Sequence, residues 1–241
     1  MPNVIEINDL VVQYGDRRVV EGLTLQVPRG EIFGFLGPNG AGKSTTIKSL
    51  LGLIFPQSGT LRLNGLSPSD PRSRARVGFM PEDATYYRFL TAEEILRFYG
   101  RLFLISSIEL NKRIDRLLNL VGLADAARRQ LRTFSKGMVQ KVSLAQSLIN
   151  DPETLILDEP TTGLDPLAKM QLRDILSDLK KQGKTIFFSS HELSEAELLC
   201  DSILILKSGR ALRGGSLKEV LAGQSGHSLE KFFLNTIQGA P

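Results

Sequence analysis

The segment GPNGAGKS, Gly37 to Ser44, sets a lysine and a serine after two spaced glycines, the G-x-x-x-x-G-K-[ST] pattern of a phosphate cradle. Glycines let successive backbone N–H groups turn inward as an anion-binding nest. A lysine at this spacing reaches the β and γ phosphates, and the serine hydroxyl can hold Mg2+. On this reading Pro38, Asn39, Gly40, Ala41, Gly42, Lys43, Ser44 and Thr45 form a nucleotide site, with Ser44 also on the metal. The alternative is a glycine-rich turn that merely links strand to helix.

A second cluster lies in TLILDEP. Asp158 ends a short apolar run and Glu159 follows it. At a strand's carboxyl end the first can bind the same Mg2+, and the second can orient or deprotonate the water that attacks a γ phosphate. His191, just past TIFFSS, stands at another strand end, either as a structural histidine or as a hydrogen-bond donor to that phosphate. His227, in GQSGHS, has no such context and reads as surface.

The third cluster is TFSKGMVQK, Thr133 to Lys141. Ser135 is followed by the small Gly137 and by apolar residues at helical spacing, Met138, Val142, Ala145 and Ile149. A helix start of this kind offers free N–H groups, a hydroxyl and the positive end of a dipole, all suited to an anion. The chain therefore carries two candidate phosphate sites far apart in sequence.

The elements that must position these residues alternate. VIEINDLVV and LTLQV read as strands around a YGD turn, and EIFGFL, RVGFM, TLIL, TIFFS and ILIL are short apolar runs of the kind buried on both faces. Helices are predicted from about Lys43 to Leu53, from Glu109 to Val121 with Gly122 as stop, and from Pro166 to near Gly183. Thr91 with Glu94 makes a capping box before ILRFYGRLFL, so Thr91 to Asn150 is mostly helical and interrupts the alternation. SLEKFFLNTI reads as a closing amphipathic helix. Strands alternating with helices imply an α/β fold with a parallel sheet covered on both sides.

Composition sets bounds. The 241 residues, 41% hydrophobic, suffice for one large domain or two lobes sharing a core. Lys and Arg total 30 against 26 Asp and Glu, an excess that reads as spread along the chain, so nucleic acid is only weakly indicated. The single Cys200 cannot form an internal disulfide, and no apolar stretch approaches the roughly 18 residues a bilayer crossing needs. A reducing, cytoplasmic setting is expected, with any membrane role through a partner.

Taken in order, Tyr14, the phosphate loop, GFMPED, FSKGM, LILDEP, TGLDP and SSHE resemble the nucleotide-binding subunits of ATP-binding-cassette transporters, in particular the exporter-linked (ABC-2 type) group. The resemblance runs from about Val4 to Gly215. It implies a P-loop NTPase with a RecA-like, mainly parallel core sheet, an N-terminal antiparallel β subdomain and a helical signature subdomain. Residues 1–241 then form a single ATPase domain, with the core in about 1–90 and 151–215, the helical subdomain in 91–150 and a helical tail in 216–241. It implies ATP and Mg2+ as ligands and ATP hydrolysis coupled to transport, with Glu159 and His191 catalytic. It also implies a second copy of the chain, whose Ser135 and Gly137 would cap the γ phosphate held by the first, with Asp165 communicating across the interface or serving only as a helix cap. Tyr14 would stack on adenine or remain a surface aromatic. The signature departs from the common Leu-Ser-Gly-Gly-Gln at Phe134, Lys136 and Met138, and Glu82 stands where many members carry a metal-sensing glutamine. Tyr86, Tyr87, Phe89 and Leu90 either pack within the helical lobe or line a groove for a short helix of a multi-span permease. The implied location is the cytoplasmic face of the membrane, through that permease and without nucleic acid. The competing readings are a soluble cassette ATPase acting on ribosomes or DNA, and a subunit that binds ATP without hydrolysing it.

Overall fold

The computed structural model describes residues 2–222 and 228–238; His227 lies outside them. Strands β1 (Asn3–Tyr14) and β2 (Arg17–Pro28) form a hairpin, followed by β3 (Ile32–Leu36), α1 (Lys43–Leu50), β4 (Ser58–Leu63) and β5 (Val77–Met80). Three helices come next, α2 (Ala92–Leu102), α3 (Ser107–Leu120) and α4 (Lys136–Ser147). Alternation then resumes with β6 (Thr154–Asp158), α5 (Pro166–Lys181), β7 (Thr185–Ser190), α6 (Leu193–Leu199) and β8 (Ser202–Lys207), and the described chain closes with β9 (Arg210–Ser216), α7 (Leu217–Ala222) and α8 (Leu229–Gln238). Among the described residues no helix is long and apolar enough to cross a membrane.

Two sheets result. One is antiparallel in the order β2-β1-β4, and the other runs β5-β6-β7-β3-β8-β9, parallel except for its β9 edge. Every residue of β3, β6 and β7 is buried, which explains their unbroken apolar runs. Alternate side chains go to opposite faces: Phe33, Phe35, Ile156 and Phe187 join the core shared with the antiparallel sheet, while Ile32, Leu157, Ile186 and Phe188 join the core under the helices. Phe187 stacks on Phe33 at 5.9 Å between ring centroids.

Helix ends follow their local chemistry. Thr91 and Glu94 exchange the two hydrogen bonds of a capping box. Helix α1 stops at Leu50, short of the expected Leu53, because Gly52 takes a left-handed φ of 68°, with Gly52 N–H donating to Ser49 O and Leu53 N–H to Lys48 O. That is a Schellman ending, and Gly122 and Gly183 end α3 and α5 in the same way.

Strand β5 meets helix α4 at Gly78. A Cβ there would lie 2.0 Å from Ser147 O and 2.9 Å from Leu155 Cδ2 and Pro152 Cγ. This close approach is what seats the helical segment on the sheet. Gly78→Ala should therefore destabilise the chain by about 1–3 kcal/mol, read as a lower urea midpoint at unchanged slope; an unaltered midpoint would show that the approach is not needed.

Candidate nucleotide site

The carboxyl ends of three adjacent parallel strands build the site. In β3 and β7 Leu36 pairs with Ser190, and in β6 and β7 Asp158 pairs with Ser189. Gly37, Glu159 and His191, each one residue past its strand, thus emerge side by side, as open α/β sheets place their ligand sites.

Gly37 N–H donates to Ser190 O at 3.1 Å and Ala41 N–H to Pro38 O at 3.2 Å, which fixes the start of the loop. Neighbouring backbone presses against it: a Cβ on Gly37 would lie 2.3 Å from Leu206 O, and one on Gly42 2.8 Å from Val19 O. Gly42 occupies the N-cap of α1 with φ 107°, contributes no side-chain cap, and the first turn has no acidic residue. Among the described residues nothing accepts from the N–H groups of Gly40, Gly42, Lys43, Ser44 and Thr45. Those donors and the helix dipole face a cleft of about 350 Å3, lined by Asn39 to Thr45, Val19, Glu82 and Glu159.

Lys43 is buried. Its Nζ donates to Gly37 O at 2.7 Å and Pro38 O at 3.2 Å, and lies 3.0 Å from Glu159 Oε1, a charge contact without an aligned hydrogen bond. Glu159 is 3% exposed and holds the left-handed φ of 49°, a strained conformation for a residue with a side chain. Two partners hold it there. Its N–H donates to Ser189 Oγ at 2.9 Å, and its Oε2 lies 2.8 Å from His191 Nδ1. Ser189 Oγ in turn donates to Asp158 Oδ1 at 2.6 Å, so one hydroxyl orients both carboxylate residues.

Glu82 follows β5 on the far side of the cleft. Burial pushes its carboxyl up from the ordinary value, and the Asp158, Glu159 and Asp83 carboxylates push the same way against the smaller pull of Lys43. Among the described residues no group of three or more His, Cys, Asp or Glu side chains is arranged to hold a metal alone. Ser44, Asp158 and Glu82 offer the oxygen ligands that Mg2+ prefers, and that ion commonly completes its shell with substrate phosphates and water.

The signature segment stands apart. Ser135 caps α4, its exposed Oγ accepting from Met138 N–H at 3.3 Å, and none of its hydrogen bonds among the described residues reaches the phosphate loop of its own chain. A Cβ on Gly137 would sit 3.4 Å from Leu164 Cδ2, in ordinary contact, so the helix start is open. Asp165 caps α5, Oδ1 accepting from Ala168 N–H at 2.8 Å. Tyr14 lies half-exposed at the end of β1. Of the four apolar residues singled out after Glu82, Tyr86 and Leu90 pack on the helical core, as the packing alternative expects, whereas Tyr87 and Phe89 are exposed.

Two positioning groups are not evident from the motifs. Ser189 is one, signalled only by a hydroxyl at the end of an apolar strand. Gln140 is the other: buried on α4, its Nε2 donates to Glu82 O at 3.4 Å. Tyr86 Oη donates to Gln146 Oε1 at 3.5 Å, and burial pushes that phenol up to about 12. The Glu82 segment is thereby tied to the helix that Ser135 caps. Ser189→Ala removes the acceptor of Glu159 N–H and the donor to Asp158, both buried, and should cost about 1–3 kcal/mol in chemical denaturation; a loss under a few tenths would show that the bridge is dispensable.

An ABC transporter family model matches residues 20–162. An uncharacterized ABC transporter ATP-binding protein of Synechocystis is 51% identical over 209 residues, 86% of this chain and 59% of that protein. A Nod factor export ATP-binding protein I of Cupriavidus pinatubonensis is 40% identical over 242 residues, 98% of this chain and 74% of its own length. The chain thus spans less than two thirds of the first relative. A solved structure of an ATP binding subunit of an ABC transporter superposes with a TM-score of 0.89 at 36% identity, covering 97% of this chain and 99% of that one. With the phosphate loop, the strand-end carboxylates and the signature helix in the places described, the chain belongs to the ABC transporter family and has the fold of its ATP-binding subunits.

Proposed function

We propose that this chain, as a single ATPase domain, binds ATP with Mg2+ and hydrolyses it to drive transport, in the export direction, by a separate multi-span membrane subunit. The observation that carries the reading is the row of unpartnered N–H groups over Lys43, flanked by Asp158, Glu159 and His191 from the next two strands. The nest holds the phosphates, and Lys43 exchanges Glu159 for phosphate oxygens. Glu159, released on Oε1 and still held by His191, takes the proton of the attacking water. Ser44, Asp158 and Glu82 would hold Mg2+, which would supply neutralisation of the charge developing on the phosphates. Tyr14 supplies a flat apolar face for the base.

The second anion feature completes the reading. Ser135 makes no hydrogen bond to the phosphate loop of its own chain and the start of its helix is open, so Ser135 and Gly137 serve the nucleotide of a second copy, and two chains close head to tail over two ATP. Export is favoured by the export role of the Nod factor relative and by the exporter-type signature and Glu82.

Glu159→Gln should lower kcat about a hundred to ten thousandfold while retaining ATP, and should elute as an ATP-dependent dimer on size exclusion. Adding Ser135→Arg should return that dimer to monomer; a Glu159→Gln chain that stays monomeric with normal turnover would discredit the assignment. For Glu82, the folded state raises the carboxyl above its ordinary 4.5, so its stabilising contribution is present in acid and lost as pH rises through the folded value. In metal-free protein Glu82→Gln should therefore flatten the fall of melting temperature that runs from pH 4.5 up to that folded value, and should reduce the Mg2+-dependent rise in melting temperature with ATP bound. Identical pH and Mg2+ responses in the two proteins would remove Glu82 from the metal site.

A further inference from the structure

The basic excess is not spread along the chain. Residues 91–150 hold ten Lys and Arg against five Asp and Glu, a net +5 where the whole chain carries +4, so the remainder is slightly acidic. From Ile95 to Ile108 there is no acidic residue at all. The same stretch displays apolar surface: Phe98 and Leu102 on one face of α2, then Phe103, Leu104 and Ile108, all exposed. Arg101 lies among them and Lys112 one turn beyond Ile108 on α3, both exposed and without an ion pair among the described residues, while the nearby Glu109 is held by Arg113 at 2.7 Å.

Leu104 is the telling residue. It ends α2 in a Schellman arrangement, its N–H donating to Arg101 O and that of Ile105 to Gly100 O, with a left-handed φ of 55°. The three other such endings among the described residues, at Gly52, Gly122 and Gly183, use glycine, which adopts this conformation without penalty. Here a leucine holds it and is 92% exposed. Among the described residues no hydrogen bond or burial of the Leu104 side chain repays that choice.

We propose that the α2–α3 corner is a lipid-contacting ridge that inserts Phe103, Leu104 and Ile108 into the headgroup region of an anionic membrane, with Arg101 and Lys112 on the lipid phosphates. Shallow apolar insertion combined with a basic flank is the composition of an interfacial anchor, and two or more weak signals together give reversible binding. This contact is additional to any grip on a permease, and it needs no nucleotide.

Sedimentation of the purified chain with phosphatidylcholine vesicles, with and without equimolar phosphatidylglycerol, tests it. The chain should pellet with the anionic vesicles only, and less so at raised salt. Leu104→Gly should fold at least as stably yet bind about tenfold more weakly. Arg101→Gln with Lys112→Gln should bind about twenty-five-fold more weakly, each cation near an anionic surface contributing about fivefold. Basal ATPase activity, which uses none of these residues, checks that the variants are intact and is read separately from the proposed hydrolysis mechanism. Failure to pellet, equal pelleting with neutral vesicles, or either variant pelleting like the parent would overturn the proposal. Capture only by membranes that also contain the multi-span membrane subunit would overturn it too and assign the ridge to protein.

Discussion

The register of three parallel strands governs everything else in this molecule. Because β3, β7 and β6 lie side by side with Leu36 opposite Ser190 and Ser189 opposite Asp158, the residues one step past each strand are forced together at one edge. A shift of one residue in either pairing would turn Asp158 or Ser189 to the other face and separate the carboxylates from the loop. The alternate split of Phe33, Phe35 and Phe187 from Ile186 and Phe188 between two cores makes that shift costly, since it would exchange the contents of both.

The phosphate loop depends on this edge and on its walls. Its glycines are required less for flexibility than for space, with Leu206 O and Val19 O standing where side chains would go at Gly37 and Gly42. The strained Glu159 backbone is likewise a product of its surroundings, pinned by Ser189 on one side and His191 on the other. From this edge the structure continues outward through Glu82 to Gln140 and so to α4, which joins the two anion features of one chain through a short run of contacts.

Much of this was legible in the residues. The buried strands announce themselves by unbroken apolar runs, the capping box and helix-stopping glycines mark helix ends, and the loop and TLILDEP motifs state their chemistry through fixed spacing. Helix α1 ends short of the expected Leu53 because apolar periodicity continues through Leu53 while Gly52 dictates the actual stop. Ser189 and Gln140 carry no local signal, since their importance lies in what they touch across the fold, which no local pattern encodes. The division of Tyr86 and Leu90 from Tyr87 and Phe89 follows the same rule: identical chemistry in sequence, opposite burial in space.

The pairing of Lys43 with Glu159 has a meaning for the life of the empty protein. A bare cation enclosed by low-polarity walls would have to recruit an ion from solution or shed its proton before the chain could compact. By lending it an internal counterion, the molecule can complete its architecture straight after synthesis, with no nucleotide at hand, and keep its cradle ready without an outside guest.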